Sequence, residues 1–181
     1  MSSVHRLPGD PSDKEQVRRM IRVDHAGEYG AARIYAGQLK VLGRHPASAA
    51  IRHMAEQEKR HLATFEKLVA DRQVRPTALS PLWHAAGFAL GAASALLGAR
   101  AAMACTVAVE EVIDEHYRAQ AEALGNAEPE LKATIEEFRG DELEHRDTGL
   151  AHGAEGAPGY EVLSRVVKAG SRLAIWLSTR I

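Results

Sequence analysis

Two short motifs carry the chemistry the chain offers. Glu58-Lys59-Arg60-His61 and Glu142-Leu143-Glu144-His145 each set a carboxylate and an imidazole three residues apart. On a helix that spacing sends both side chains out of one face, about one turn apart. A single Glu-x-x-His is weak evidence in a chain with 24 acidic residues and nine histidines. Position sharpens it. The apolar stripe around the first motif reads Ile51, Met54, Glu58, His61 with Leu62, Phe65, Leu68, and around the second Leu131, Ile135, Phe138, Glu142, His145, Gly149. Both motifs therefore fall where burial is expected.

The pattern repeats. Glu28 precedes Glu58 by 30 residues and Glu110 precedes Glu142 by 32. Glu28 lies on the stripe Val17, Ile21, Glu28, Tyr35, Leu39, and Glu110 on Met103, Thr106, Glu110, Ile113, Tyr117, Leu124. Each half is thus a Glu on one helix followed by Glu-x-x-His on the next. That is the ligand set of ferritin-like dinuclear carboxylate sites. Burying bare carboxylates costs several kcal/mol per ion, against a folding stability of about 5–15 kcal/mol. Two divalent cations would cancel the four negative charges. Carboxylate-rich ligation with imidazole suits iron or manganese better than zinc, and neither motif is the His-Glu-x-x-His of a zinc peptidase. Taken singly, each glutamate could instead be a salt-bridged helix residue, with Arg22, Arg33, Arg60 and Arg139 as partners. Six residues on stripes in a two-fold repeat favour the metal.

Four further residues are candidates to support the ligands. Asp24 stands one turn before Glu28 with His25 beside it, so either would orient a ligand. His116 and Tyr117 stand about two turns beyond Glu110. Tyr117, at i+7, returns to the metal-facing side, where it would donate a hydrogen bond, pass an electron or simply pack in the core.

Helical periodicity and its punctuation define the elements that must position these groups. The first helix starts near Ser12 or Asp13, with Gln16 placed for a capping box after Asp13, and runs to about Leu42 before Gly43. The second begins at Pro46, a favoured first-turn residue, and ends before Arg75-Pro76; Pro76 to Pro81 reads as a loop. A third segment, Leu82 to about Gly98, is rich in alanine, glycine and leucine. A fourth helix runs from about Ala99 to Leu124 and a fifth from Pro129 to about His152. Gly153, Gly156, Pro158 and Gly159 break the chain before a last helix, Tyr160 to about Thr179. Long helices with short loops and one crossover predict an all-α fold, a ferritin-like four-helix bundle with additional membrane-interfacial helices. A single domain is expected over residues 1–181, with 1–14 flexible.

Composition narrows the function classes. A net charge of −1 gives no field for nucleic acid. One cysteine, Cys105, excludes an intrachain disulfide framework and reads as a small buried residue. The stretch Met1 to Gln16 has no apolar run and carries Asp10, Asp13 and Glu15, unlike a secretory signal or a transit peptide, so a bacterial cytoplasmic protein or a trimmed organellar one is expected. The apolar run Ala85 to Ala99 is shorter than the roughly 20 residues of a span, and Arg100 ends it. Segment 82–108 is therefore read as a helix on or dipping into a bilayer surface, with an ordinary core helix as the alternative. The last helix sets Ile175, Trp176 and Leu177 against Arg165, Lys168, Arg172 and Arg180, as a second interfacial anchor or a packed closing helix. No Gly-x-Gly-x-x-Gly is present, so no stable Rossmann nucleotide site is expected.

Longer motifs carry a resemblance. Ile21-Arg22-Val23-Asp24-His25-Ala26-Gly27-Glu28-Tyr29-Gly30-Ala31, Gln57-Glu58-Lys59-Arg60-His61-Leu62, Val74-Arg75-Pro76-Thr77, Gly87-Phe88-Ala89-Leu90-Gly91-Ala92, Ala102 to Glu111 and Phe138 to Asp147 closely resemble the demethoxyubiquinone hydroxylase family of ubiquinone biosynthesis, from about Ile21 to the C-terminus. The resemblance implies a ferritin-like, membrane-associated di-iron monooxygenase cycling Fe2+ and Fe3+, with O2 as co-substrate. It implies hydroxylation of a polyprenyl quinone at the ring position later methylated, and NADH or the quinol itself as reductant. Carried over position by position, the iron ligands are Glu28, Glu58, His61, Glu110, Glu142 and His145, with Glu58 and Glu142 bridging both irons. The expected setting is peripheral, on the cytoplasmic face of a bacterial inner membrane or the matrix face of the mitochondrial inner membrane. The membrane surface, an accessory lipid-binding protein and a homo-oligomer are compatible partners. The rival is a ferritin-like iron-oxidising storage protein, which would share the six ligands but not need the apolar 82–108 segment.

Overall fold

A computed structural model describes residues 11–181. Its helices are α1 (Asp13–Leu42), α2 (Ser48–Asp71), α3 (Ser80–Leu96), α4 (Ala99–Leu124), α5 (Pro129–Ala151) and α6 (Tyr160–Ser178), with one short 3-10 turn at Ala154–Gly156 and no strand among the described residues. The flexibility expected of residues 1–14 lies, for 1–10, outside the described residues; Asp13 and Lys14 already form the first turn of α1.

The helix starts differ from the sequence reading in local chemistry. Ser12, not Asp13, caps α1: its hydroxyl accepts from the Glu15 N–H at 3.2 Å, and Asp13 and Glu15 complement the positive end of the helix. Gln16 closes no box on Asp13; its amide donates to the Pro11 carbonyl at 3.3 Å. Helix α2 begins at Ser48 rather than Pro46, because the turn is held by His45 Nδ1, which accepts from the Ala47 N–H at 3.1 Å, and by Arg52, which ties Ser48 Oγ to the Gly43 carbonyl. Helix α3 starts two residues early, at Ser80 with Pro81 in its first turn, where Thr77 Oγ1 accepts from the Leu79 N–H at 3.2 Å.

Helices α1 and α2 pack as one antiparallel pair and α4 and α5 as another, which makes the four-helix, ferritin-like bundle. Helix α3 carries the crossover between the pairs and lies on the outside of α1, while α6 lies on the outside of α4. The α1–α3 approach is backbone to backbone. A Cβ on Gly91 would sit 1.9 Å from the Ile34 carbonyl oxygen, and one on Gly37 2.2 Å from that of Phe88. Gly98, at φ 112°, turns the chain from α3 into α4 in a conformation that glycine adopts at little cost.

That turn divides the apolar run 82–108. Residues Ala101–Glu110 of α4 are all buried inside the bundle, so the membrane-surface expectation does not apply to 101–108. Leu82, Leu96 and Leu97, on α3 and at its end, stay exposed. The same holds on α6 for Val162, Val166, Leu173 and Trp176. No helix among the described residues is long and apolar enough to cross a membrane.

The core is split. Tyr35, Ile51, Met54, Met103 and Val107 fill one end of the bundle. Ile21, Phe65, Tyr117, Leu131, Ile135 and Phe138 fill the other. Each such side chain contributes about 1.5–3 kcal/mol by leaving water. Along α1, α2, α4 and α5 alike, the residues between the two plugs are the glutamates and histidines of the repeat.

Candidate metal centre

The six residues selected from the sequence converge in that middle layer. Glu28, Glu58, His61, Glu110, Glu142 and His145 are each at most 3% exposed. They fall into two groups, Glu28–Glu58–His61–Glu142 and Glu58–Glu110–Glu142–His145, each with one donor atom per residue within 4.8 Å of the others. Glu58 and Glu142 belong to both groups. Glu142 divides its oxygens between them: Oε1 is 3.2 Å from His61 Nδ1 and Oε2 3.1 Å from His145 Nδ1.

The hydrogen bonds around the layer leave specific atoms unused. Tyr117 donates its phenol proton to Glu28 Oε1, and Tyr35 donates to Glu110 Oε1 at 2.7 Å. The second oxygen of each, Glu28 Oε2 and Glu110 Oε2, makes no hydrogen bond, nor does either oxygen of Glu58, although His61 Nδ1 lies 3.4 Å from Glu28 Oε2 and His145 Nδ1 3.2 Å from Glu58 Oε1. Behind the imidazoles, His61 Nε2 is 2.9 Å from Asp141 Oδ2 and His145 Nε2 is 3.1 Å from Gln57 Oε1. Both Nδ1 atoms consequently point inward at carboxylates. Buried carboxylate oxygens that make no hydrogen bond, set around two inward-facing imidazole nitrogens, are what a pair of hard divalent cations requires, and the donor set fits iron or manganese.

Titration behaviour shows the same demand. Burial, then repulsion from Glu142 and Glu28, pushes the Glu58 carboxyl well above its usual range; burial, then Glu142 and Glu58, does the same to Glu110. Glu28 is also raised, chiefly by burial. Burial would lower His61, but the Glu142 and Glu28 carboxylates outweigh it and hold the imidazole up at about 11. Burial would raise Glu142, but His145 and His61 outweigh it and bring the carboxyl down to about 2. Without metal, protons on the histidines and on some carboxylates supply the counter-charge.

The four supporting candidates separate. Asp24 is buried, and its Oδ1 lies 3.0 Å from His116 Nε2 and accepts from Gln120 Nε2 at 2.8 Å. Burial raises its carboxyl, opposed by His116 and Gln120. Tyr117 reaches Glu28 itself while its ring stacks on Phe65. His25, one residue round the helix from Asp24, stands apart from these contacts: burial lowers its imidazole against the opposing charge of Glu66, and its Nδ1 makes no hydrogen bond. The arginine alternative fails too. Arg22 binds the Arg75 carbonyl, Arg33 lies over the Phe88 ring, Arg60 reaches Asp141 at 3.4 Å and Arg139 pairs with Asp114 at 2.6 Å. None meets one of the four glutamates.

Sequence reasoning missed Tyr35, Gln57 and Asp141 as partners of the cluster. The signal existed: Tyr35 stands seven residues after Glu28 as Tyr117 does after Glu110, and Gln57 and Asp141 each precede a Glu-x-x-His.

An apolar slot of about 390 Å³ lies outside the bundle wall between α3 and α6. Its floor is Ala26, Gly27, Ala31, Val109 and Ile113, the near neighbours in sequence of Glu28 and Glu110. Trp83 Nε1 donates to Ser178 Oγ at 3.0 Å across one end, linking α3 and α6.

The family model described as "Ubiquinone biosynthesis protein COQ7" matches residues 15–178. A Rhodospirillum rubrum protein named 3-demethoxyubiquinol 3-hydroxylase is 62% identical over 177 residues, covering 97% of this chain and 84% of its own. A Homo sapiens protein named NADPH-dependent 3-demethoxyubiquinone 3-hydroxylase, mitochondrial, is 54% identical over 176 residues, 95% of this chain and 81% of its own. The Saccharomyces cerevisiae 5-demethoxyubiquinone hydroxylase, mitochondrial, is 45% identical over 180 residues, 90% and 77% of the two chains.

Proposed function

The chain belongs to the family of ubiquinone biosynthesis protein COQ7, and on that premise we propose that it hydroxylates the ring of a demethoxyubiquinol or demethoxyubiquinone at a pair of iron ions. The observation that carries this reading is the layer of four buried glutamates, three of them with oxygens that make no hydrogen bond, closed by two inward-facing imidazoles. Glu28 and His61 would hold one iron, Glu110 and His145 the other, with Glu58 and Glu142 bridging; their membership in both groups supports that assignment.

When bound, the iron pair supplies the activation of dioxygen, one of whose oxygen atoms enters the ring while the other leaves as water. The chain's own residues set the conditions. Tyr117 occupies one oxygen of Glu28 and Tyr35 one oxygen of Glu110, which leaves the other oxygen of each available to a cation that these residues would hold. Asp141 and Gln57 fix the imidazole rings with Nδ1 inward. The two apolar plugs exclude bulk water from the layer.

The slot fits an isoprenoid tail, whose ring end would rest on the floor beside Glu28 and Glu110. Leu173 of the slot lining, with Leu96 and Leu97 at the end of α3 and Trp176 on α6, is exposed and suits a bilayer surface, so that substrate would enter from lipid with the enzyme bound peripherally. A reduced nicotinamide dinucleotide supplies electrons in this reading, and the human relative's name specifies NADPH.

The test is product formation by anaerobically iron-loaded protein given demethoxyubiquinol, oxygen and reductant, read by mass spectrometry. About two irons per chain are expected, with hydroxylated quinol lost in Glu58→Ala and Glu142→Ala. Uptake of many irons per chain with no hydroxylated product would instead establish the storage protein, which has no use for the slot.

A further inference from the structure

The two halves of the bundle are built from the same steps, and the places where they differ lie on one side of the metal layer. Seven residues after the lone glutamate stands a tyrosine in each half, Tyr35 and Tyr117, and ten residues after it a glutamine, Gln38 and Gln120. Each reaches across to the other half. Tyr35 donates to Glu110 and Tyr117 to Glu28; Gln38 donates to Thr106 Oγ1 at 3.3 Å and Gln120 to Asp24 Oδ1 at 2.8 Å. Each residue that precedes a Glu-x-x-His likewise supports the histidine of the other motif: Gln57 meets His145 and Asp141 meets His61.

Within this two-fold pattern a neutral residue faces an acid twice. Thr106, one turn before Glu110, corresponds to Asp24, one turn before Glu28. Gln57 corresponds to Asp141. Both acids stand with the position of Glu28 and His61, and both neutral residues with that of Glu110 and His145. The contact distances follow the difference: 2.9 Å from His61 Nε2 to the Asp141 carboxylate, 3.1 Å from His145 Nε2 to the Gln57 amide oxygen.

A carboxylate behind an imidazole makes the inward nitrogen a stronger donor and adds negative charge near the cation. A neutral amide orients the ring without that effect. Outer partners of this kind change metal affinity about 10- to 100-fold. We infer that the two metal positions are unequal by construction. The position of Glu28 and His61 binds its divalent cation more tightly and fills first, because Asp141 stands behind its histidine where Gln57 stands behind the other. The inference rests on the dinuclear reading above. Asp141 and Gln57 are positioning residues in it.

The test is anaerobic titration of the metal-free full chain with Co2+, followed by calorimetry and by visible absorption. Two steps are expected, but repulsion between two cations would also separate equal sites, so variants must assign the steps. His145→Ala should keep the tight step and His61→Ala only the weak one, about 10-fold or more apart. Equal affinities in these two variants overturn the inference. Asp141→Asn should weaken the tight step about 10-fold, whereas Gln57→Glu should strengthen the weak one by a similar factor. A tight step untouched by Asp141→Asn overturns the inference. Should that variant fail to fold, a weak step untouched by Gln57→Glu overturns it equally. Absence of any Co2+ binding to the parent protein would defeat the dinuclear reading itself, an outcome distinct from two equal sites.

Discussion

Helix α3 is fastened to the bundle by glycines, so one methyl group should loosen it. A Cβ at residue 91 would lie 1.9 Å from the Ile34 carbonyl oxygen and 2.7 Å from its carbon, where ordinary contact begins at 3.4 Å. Both obstacles are backbone, so no side chain can swing aside, and α3 must lift by about 1.5 Å or the helix must bend. Overpacking a core costs roughly 1–3 kcal/mol, and a clash against backbone belongs at the upper end. At about 2–4 °C per kcal/mol for a chain of this length, Gly91→Ala should lower Tm by roughly 6–12 °C. Gly140→Ala is the control of opposite sign: a Cβ there meets nothing within 4 Å, and removing a mid-helix glycine gains about 0.5–1 kcal/mol. Metal content of Gly91→Ala should stay at the parental level, since no proposed ligand lies on α3, while KM for a tailed quinol rises as the slot wall moves. Thermal melts and iron assays decide it. A Gly91→Ala protein melting within about 2 °C of the parent would refute the backbone-contact account of α3.

Metal binding should release protons, because His61 is held up at about 11 by Glu142 and Glu28 and must give up its proton to a cation. Apparent Co2+ affinity should therefore fall about ten-fold per pH unit for each proton displaced, between pH 8 and 6, and calorimetry in buffers of different protonation enthalpy counts those protons; pH-independent affinity contradicts it. In the metal-free protein the same group stabilises the fold fully below its unfolded value of 6.5, and that contribution disappears as pH rises through about 11. For membrane contact, Leu96 and Leu97 are 75% and 70% exposed. Replacing both with serine should remove about 2–4 kcal/mol of bilayer burial and cut vesicle partitioning at least ten-fold without lowering Tm, and unchanged flotation with liposomes would exclude that face as the anchor.

The bundle was legible in the sequence because its helices are long, amphipathic and closed by glycine or proline, so period and punctuation agree. The convergence of six glutamates and histidines in one buried layer was legible for a different reason. A charged pair on an apolar stripe, repeated in two halves, contradicts burial unless something neutralises it, and that contradiction is local enough to read along one strand of text. Helix starts were less legible, because they depend on single side chains such as Ser12, His45 and Thr77 whose capping geometry a pattern does not encode. The run 82–108 misled at its second part, since a stretch of alanine and small residues has the same composition whether it faces lipid or the centre of a bundle. Only the turn at Gly98 separates the two environments.

What composition and period could not supply is pairing across the halves. Tyr35 looked like an ordinary stripe residue because its stripe is ordinary; the carboxylate it serves, Glu110, lies 75 positions away. His25 and His116 are both histidines close in sequence to a glutamate of the layer, yet one has Glu66 as its electrostatic neighbour and the other reaches Asp24 on a different helix. Proximity in sequence predicted which helix face a residue occupies and not which neighbour that face meets. The two-fold repeat closes that gap. Once Tyr117 is known to serve Glu28, the matching step along the other half assigns Tyr35 to Glu110, and Gln57 to His145 follows from Asp141 to His61. An internal duplication thus converts half of a set of contacts into a prediction of the rest, and departures from it, such as Asp141 against Gln57, mark where the two halves of the buried layer differ.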